Sequence, residues 1–588
     1  MKKIIPIVAL NISLYFGQVV SGTVSDKITG LGLSGVNIIV IEKNAGVSTD
    51  SNGEFSLNIK DLTDDQIIQF KHIGYDQILI RVDSLISESD ILLQPRVLQF
   101  EAIETAGIKR KPAIEKDLPQ TVSIIQSEAF ALRAYVDAGD LLATDQSVQI
   151  EESLSGRKTV SIRGGNADDV LVLYNGFRLN RPYDNVFDLS LIDMQNIEQI
   201  EIVKGGHSVL YGSDAFSGVI NIVPKNTKDK NLKFSQQFGS YESGFWNANG
   251  QLKINNSFLS LNQKRGSYKR IFQDSQIDSP ELSSGLSHSA FDMTNRLKNN
   301  FINGNLEWNF TQDKQVFDNT RDRNTINSTN QLAGMRYDGI FWLLGEVELA
   351  FASHNLSETQ NLNNQRGYIT RSLDHNSNKV DVRKYINLNK VEWMFGAQAE
   401  DSKLNFFDDQ SLNNTQQLGL KGAKINRQHA GFATVLKLHS KGDEIGQWLT
   451  DLDMSYRFDF VKDQSDSLLN RKEIFDLSEI SSLVDFGNNQ WSNSIFKIST
   501  IASKRAPGMT MAYWATTGNN IKFPSLQQQI SQLTFMDPNQ RRLKPEKMKS
   551  LEIGINILTQ PKAMENVDQL ELQASVFRND YLNKMRST

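Results

Sequence analysis

The chain has 588 residues, 39% hydrophobic and 22% charged, and its 63 Lys+Arg against 68 Asp+Glu leave a formal charge of −5. This length exceeds what one hydrophobic core usually holds, a mean hydropathy of −0.39 excludes a bundle of apolar membrane helices, and the charge balance excludes a general basic footprint for nucleic acid. The absence of cysteine excludes disulfides, thiolate metal sites and cysteine nucleophiles. A membrane barrel remains open, because only alternate residues of its strands face lipid and hydropathy stays low.

Lys2 and Lys3 precede a mostly apolar run, Ile4 to Phe16, and small or polar residues follow from Gly17. This is the pattern of a secretory signal, too short to span a bilayer as a permanent helix. Residues 1–18 are read as a signal peptide cleaved near Gly17 to Val19, so the mature chain begins outside the cytoplasm.

From Gly22 to about Leu93, short β-branched runs separated by turn residues predict a small sandwich: Val36 to Ile41, Phe55 to Ile59, Ile67 to Phe70 and Ile78 to Val82. Gly30, Gly32 and Gly35 fit G-x-G-x-x-G, but a strand, VNIIVIE, follows where a dinucleotide site needs a helix, so a turn is expected. Ser48, Asp50, Asn52 and Gly53 are spaced like a calcium loop, yet Ile59 stands where a bidentate Glu is required, so a hairpin turn is expected. The stretches GTVSDKITGLGLSGVNIIV, GVSTDSNGEFSLNI and FKHIGYDQILI resemble the carboxypeptidase regulatory-like domain found at the front of outer-membrane receptors; the domain is placed over 19–95. No peptidase is implied, since there is no H-E-x-x-H and no zinc-ligand cluster. The seven histidines, His72, His207, His288, His354, His375, His429 and His439, are scattered singly.

Residues 96–117 are polar and of mixed charge, and read as a linker. TVSIIQ then predicts a strand, and Ser127 to Ala134 a helix with Ser127 as its N-cap. VSIRGG, VLVLYNGFRL and IEQIEIVKGGHSVLYGSDAFSGVINIVPK add short strands broken by glycine turns. Together these segments resemble the plug domain of TonB-dependent outer-membrane receptors, most closely at Ile162 to Gly165, Leu173 to Asn180 and Ile197 to Lys225; the plug is placed over 118–228. The resemblance implies a TonB box before the plug, here Phe100, Glu101, Ala102, Ile103, Glu104, Thr105 and Ala106. Such a segment adds its backbone as a strand to the periplasmic protein TonB, so side chains matter little.

Residues 229–588 are read as a barrel from their period of two. In Trp246 to Ile254, Trp246, Ala248, Leu252 and Ile254 oppose Asn247, Asn249, Gln251 and Lys253. The same alternation recurs at Ile302 to Phe310, Leu452 to Phe460, Leu551 to Ile557 and Leu570 to Val576. Strands of about nine or ten residues with lipid on one side and a polar lumen on the other are expected. Trp246, Trp308, Phe310, Tyr456 and Phe458 are assigned to the lipid face or its aromatic girdle, and Gly266 to Leu297, Asp313 to Met335 and Ser353 to Asn389 to polar outer loops. NNIKFPSLQQQI and RRLKPEKMKSLEIGINI resemble the late-barrel signature of the same family, which implies plug–barrel contacts in which Arg163 and Lys204 face Glu546 or Glu552.

The expected fold class is mainly β: a small β-sandwich, an α+β plug domain and an antiparallel transmembrane β-barrel that is incomplete in this chain. The stretch after Asn231 holds ~14–16 strands at ~10 residues each plus connections, against ~22 in outer-membrane transporters. With no terminal aromatic at the end, a C-terminally truncated receptor is expected, and a ladder between its first and last barrel strands would refute that. The resemblance implies TonB-dependent, energy-coupled import of a scarce solute such as an iron chelate or vitamin across the outer membrane, with the N-terminal domain in the periplasm. It implies as partners TonB and its inner-membrane energising complex, outer-membrane lipids, a small ligand and a surface lipoprotein, and no cofactor, metal or nucleic acid. No G-x-S-x-G elbow or paired-carboxylate motif supports an enzyme. The alternatives are a TonB-dependent importer of oligosaccharides, disfavoured by a chain shorter than starch-utilisation receptors, and a passive outer-membrane pore or adhesin lacking plug and TonB box.

Overall fold

The computed structural model describes residues 19–93, 122–127 and 135–585, less short stretches within them, the longest being 409–421, 468–487 and 560–569. The signal peptide, the TonB box Phe100–Ala106 and the helix expected after Ser127 lie outside the described residues.

The N-terminal unit is a two-layer sandwich. Glu54–Asn58, Val19–Asp26 and Asp90–Leu93 form one sheet in that order, and Ala45–Ser48, Asn37–Val40, Ile67–Lys71 and Ile78–Arg81 the other. Alternation along each strand turns Val24, Phe55 and Leu57 from one layer against Ile38, Ile68 and Phe70 from the other, and Phe55 meets Phe70 edge to face at 5.6 Å. The glycines expected in a turn do precede a strand, with Gly35 at φ +75 just before Asn37–Val40. The turn expected to close a hairpin instead crosses between the layers. Ala45–Ser48 and Glu54–Asn58 belong to opposite sheets, and Asp50 Oδ1 bends the crossing by accepting from the Asn52 and Glu54 amides at 2.9 and 2.8 Å.

The plug is built on a five-stranded sheet ordered Phe177–Arg178, Val170–Tyr174, Gly218–Pro224, Ile197–Lys204, Val122–Gln126. Asn175 (φ +51) and Gly176 (φ +83) occupy the two left-handed positions of the tight turn that reverses the chain after Tyr174. One face packs Val170, Val172, Ile200, Ile202, Ile220 and Ile222 against the short helix Ala138–Leu142 and the hairpin Val148–Glu152 with Lys158–Ile162. This core continues into the surrounding wall, where Leu332 is buried in it and Leu286 and Ala352 pack on its edge.

The wall is a fifteen-stranded sheet running from Asn231–Phe238 to Leu570–Leu582, every strand paired antiparallel with its neighbours in sequence. Period-two patterning sets its two faces: Asn247, Asn249, Arg457 and Asp459 are buried on the plug side, while Trp308, Phe310, Tyr456 and Phe458 are exposed on the other and Trp246 stacks on Phe234. Most strands are longer than the nine or ten residues expected, reaching 18 in Ile302–Asn319 and 22 in Gly367–Leu388. The stretches assigned to outer loops are therefore largely strand, within Ser257–Ile271, Glu281–Lys298, Ile302–Asn319, Asn324–Phe341, Gly345–Asn364 and Gly367–Leu388. The cause is simple: beyond the lipid band both faces meet water, so polar side chains on both no longer mark the end of a ladder whose backbone bonds continue. Among the described residues, no ladder joins Asn231–Phe238 to Leu570–Leu582.

Candidate functional site at the plug and barrel interface

The plug touches the wall through buried charge. Arg163 ends the strand Lys158–Ile162 in a left-handed conformation, φ +51, followed by Gly164 at φ +75. That bend sends its guanidinium to the wall, where it donates to both oxygens of Glu552 at 2.9 and 2.8 Å and lies 4.3 Å from the centre of the Phe577 ring.

The ammonium of Lys204, expected beside the same glutamates, lies 3.0 Å from Asp145 of the plug. Asp145 is a well-prepared partner. Burial pushes its carboxyl up, but donation from the Ser147 hydroxyl and amide, then from Lys204 and Ser123, outweighs burial and holds it down at about 2.

Glu546 likewise meets no plug cation. It is buried at the start of Glu546–Thr559, 3.9 Å from the ammonium of Lys522 and 3.7 Å from that of Lys584, both of the wall side, and neither carboxylate oxygen has a hydrogen-bond partner among the described residues. The two lysines are committed to the plug. Lys522 donates to Asp168 at 2.6 Å and Asp169 at 2.7 Å, and Lys584 also donates to Asp169. Here the plug supplies the anions and the wall the cations, the reverse of the polarity expected.

The segment Leu173–Asn180 positions a second belt. Asn180 is fully buried, accepts from the Val172 amide at 2.6 Å and donates to the carbonyls of Val170 and Asn185, which fixes the chain leading to Arg181. Arg178 reaches Asp214 at 2.7 Å and Glu400 of the wall at 3.9 Å, and Arg181 reaches Glu358 of the wall at 3.1 Å and Asp184 of the plug. Hydrogen bonds outside the ion pairs complete the seat, among them Tyr174 to Asp292 at 3.1 Å and Asn196 to Asn262 at 2.6 Å.

A short helix, Leu526–Thr534, closes one side. Its start is a reciprocal capping box: the Gln528 amide donates to the Ser525 hydroxyl at 3.1 Å, and the Ser525 amide to the Gln528 side chain at 2.9 Å. Leu526 and Ile530 are buried among Leu356, Leu373, Leu404 and Ile425 from four successive wall strands, while the Gln527 amide donates to the Tyr183 carbonyl of the plug at 3.1 Å. Sequence reasoning missed this helix, Lys522, Lys584 and the Asp168–Asp169 pair. It also treated the histidines one at a time, although His288, His354 and His375 are buried on the lumen side of the wall, the parity of the polar residues around them being the available signal. Among the described residues, no group of three or more His, Asp or Glu is placed to hold a metal ion.

Inside the plug sheet, Glu201 is buried and accepts from Asn221 at 2.9 Å and Gln199 at 2.8 Å; Asn221 in turn accepts from the Gly176 amide of the tight turn. Burial raises the Glu201 carboxyl above its ordinary 4.5 despite these bonds. A raised folded value makes this group's contribution to stability fullest below pH 4.5 and lost as pH rises through the folded pKa. Glu201→Gln should flatten that part of the pH dependence of amide-exchange protection in the strands around residue 201. An unchanged slope would assign the dependence to another group.

Comparison with known proteins agrees with this architecture. Residues 115–219 match the TonB-dependent Receptor Plug Domain family and residues 20–103 the CarboxypepD_reg-like domain family. The vitamin B12 transporter BtuB of Vibrio vulnificus is 30% identical over 166 residues, covering 26% of this chain and 27% of that protein. TonB-dependent receptor P3 of Formosa agariphila is 26% identical over 323 residues, covering 52% of this chain and 30% of that protein. The chain thus spans less than a third of the length of either relative. Among solved structures, the alcaligin outer-membrane receptor FauA from Bordetella pertussis shares the fold at a TM-score of 0.53 and 13% identity, covering 79% of this chain and 71% of that one. The copper transporter OprC does so at 0.57 and 11%, covering 79% and 77%. A plug seated against a long antiparallel barrel sheet is the fold of the plugged outer-membrane barrels. The chain carries the plug domain of TonB-dependent receptors behind a carboxypeptidase regulatory-like domain, and the relatives it matches are named as transporters and receptors.

Proposed function

We propose that the chain serves TonB-dependent, energy-coupled import of a scarce solute such as an iron chelate or a vitamin. In this reading the sandwich lies in the periplasm, the solute binds from outside, and a pull by TonB, powered by the inner-membrane complex, rearranges the plug. The observation that carries it is the plug's attachment to the wall by a few discrete buried ion pairs, Arg163 with Glu552 foremost. Removing one partner of such a pair is costly, so the plug stays seated at rest, yet the contacts are few and polar enough to re-form after force is applied. Similarity to vitamin B12 transporters supports the vitamin-like end of the solute range.

Deleting Phe100–Ala106 should abolish uptake while leaving the amount of protein in the outer membrane unchanged. Retained uptake in that deletion would sink the TonB-coupled reading. Ligand-dependent growth of a strain lacking the gene, scanned over iron chelates, cobalamin and glycans, identifies the solute.

A further inference from the structure

The lysine that grips the plug and the helix that covers it are one continuous piece of chain. Lys522 is the last residue of the wall strand Met509–Lys522, and Phe523, Pro524 and the capping Ser525 lead directly into Leu526–Thr534. Phe523 is buried with Ile521, Val461, Ile495 and Val209 of the plug, and the Pro524 carbonyl accepts from Arg427 of the wall at 2.7 Å. Short, buried and pinned at both ends, this link leaves the helix little freedom to move without moving residue 522.

On the plug side, Lys522 meets the tight turn Ala167–Asp169. Asp169 is fully buried, its side chain also accepts from the Asn166 amide at 2.7 Å, and its own backbone carbonyl accepts from the Ser217 amide at 2.9 Å. The turn leads directly into Val170–Tyr174, a strand of the plug sheet paired on both sides. Drawing the Lys522 ammonium away leaves Asp168 with no other ion pair and Asp169 with Lys584 alone among the described residues. It also leaves Asp169 and Glu546, whose oxygens have no hydrogen-bond partner among the described residues, sharing the one ammonium of Lys584, with the unpaired Asp168 next in sequence. Like charges confined out of water repel strongly, so the turn would be driven from its seat.

We propose that Lys522 is a positioning residue that couples the lumen helix Leu526–Thr534 to the plug: displacing the helix from the wall withdraws Lys522 from Asp168 and Asp169 and unlocks the plug turn. This deepens the import reading and rests on it for its purpose, since a solute entering from the side of the helix would displace it and so mark the plug as ready to be pulled. The mechanical coupling itself requires neither TonB nor solute.

The test is hydrogen exchange of the full-length protein, with no added solute, read by mass spectrometry on peptides spanning the plug turn and the strand Val170–Tyr174. Lys522→Met should raise exchange there about a hundredfold, the scale on which a broken buried pair shifts a local opening equilibrium, with protection of the wall strand Val391–Asp408 unchanged. Leu526→Asn, which ejects the helix from its apolar seat, should raise exchange in the same plug peptides although it touches none of the ion pairs. The double variant should exchange no faster than the faster single variant, because both break one linkage. Unchanged plug protection in Lys522→Met overturns the proposal, and so do effects of the two substitutions that simply multiply, since independent structural damage behaves that way. If Lys522→Met fails to assemble, Asp168→Asn gives the same readout from the partly exposed side of the pair. Loss of uptake on deleting the TonB box bears on the import reading alone, so the two can fail separately.

Discussion

Replacing Arg163 by methionine should weaken the seating of the plug by about 3–5 kcal/mol, the usual cost of stranding one member of a buried ion pair. Glu552 would keep its charge and lose both hydrogen bonds, and Phe577 would lose the guanidinium above its ring. The backbone shows how firmly the site is imposed. Arg163 is held at φ +51, an arrangement that costs a non-glycine residue energy and persists only because its surroundings impose it. Plug-specific amide exchange and uptake should both respond to Arg163→Met. Reversing the pair, Arg163→Glu with Glu552→Arg, should recover part of the loss. If the reversed pair is no better than either single variant, the contact is not what seats the plug.

The second prediction concerns the other face of the wall. Phe458 stands midway along Trp448–Ser467, exposed outward, paired across the ladder with the preceding strand's exposed Phe432, and flanked in sequence by the buried Arg457 and Asp459. Phe458→Arg should therefore destabilise the folded protein in lipid by about 2–4 kcal/mol, the cost of a guanidinium near the bilayer midplane. One residue away, an arginine is native. Arg457 faces inward, donates to Asp459 at 2.7 Å and to Gln398 at 3.0 Å, and His429 donates to the same aspartate at 2.7 Å when its ring carries the proton there. Urea titrations of folding into lipid vesicles give the measurement. A loss below about 1 kcal/mol for Phe458→Arg would mean that this face does not meet the hydrocarbon core.

These two predictions differ in how far the sequence alone reaches. The phase of Phe458 against Asp459 is local, so alternation read along one strand places both residues on the correct faces. Strand length is less visible, because Gly367–Leu388 runs past the lipid band into water, where its polar residues stop distinguishing strand from loop. Arg163 and Glu552 are separated by 389 residues, and only the family resemblance suggested pairing them. Lys204 has a local partner instead: its ammonium lies 3.0 Å from Asp145, a carboxylate already bonded by two serines. Lys522 and Asp169, 353 residues apart, carry no motif that marks them as partners; their meeting depends on which wall strand faces which plug turn, a property of the folded assembly.

The order of the plug sheet has a mechanical consequence. The chain enters the plug through Val122–Gln126, an edge strand held by one ladder of five residue pairs to Ile197–Lys204, whereas the three strands inside the sheet are each held on both sides. A tug from the N-terminal side loads that single ladder first, before the ion pairs of Arg163 or Asp169 bear any tension. The plug is thus arranged to part along a seam while the apolar core it shares with Leu332 and Leu286 stays against the wall.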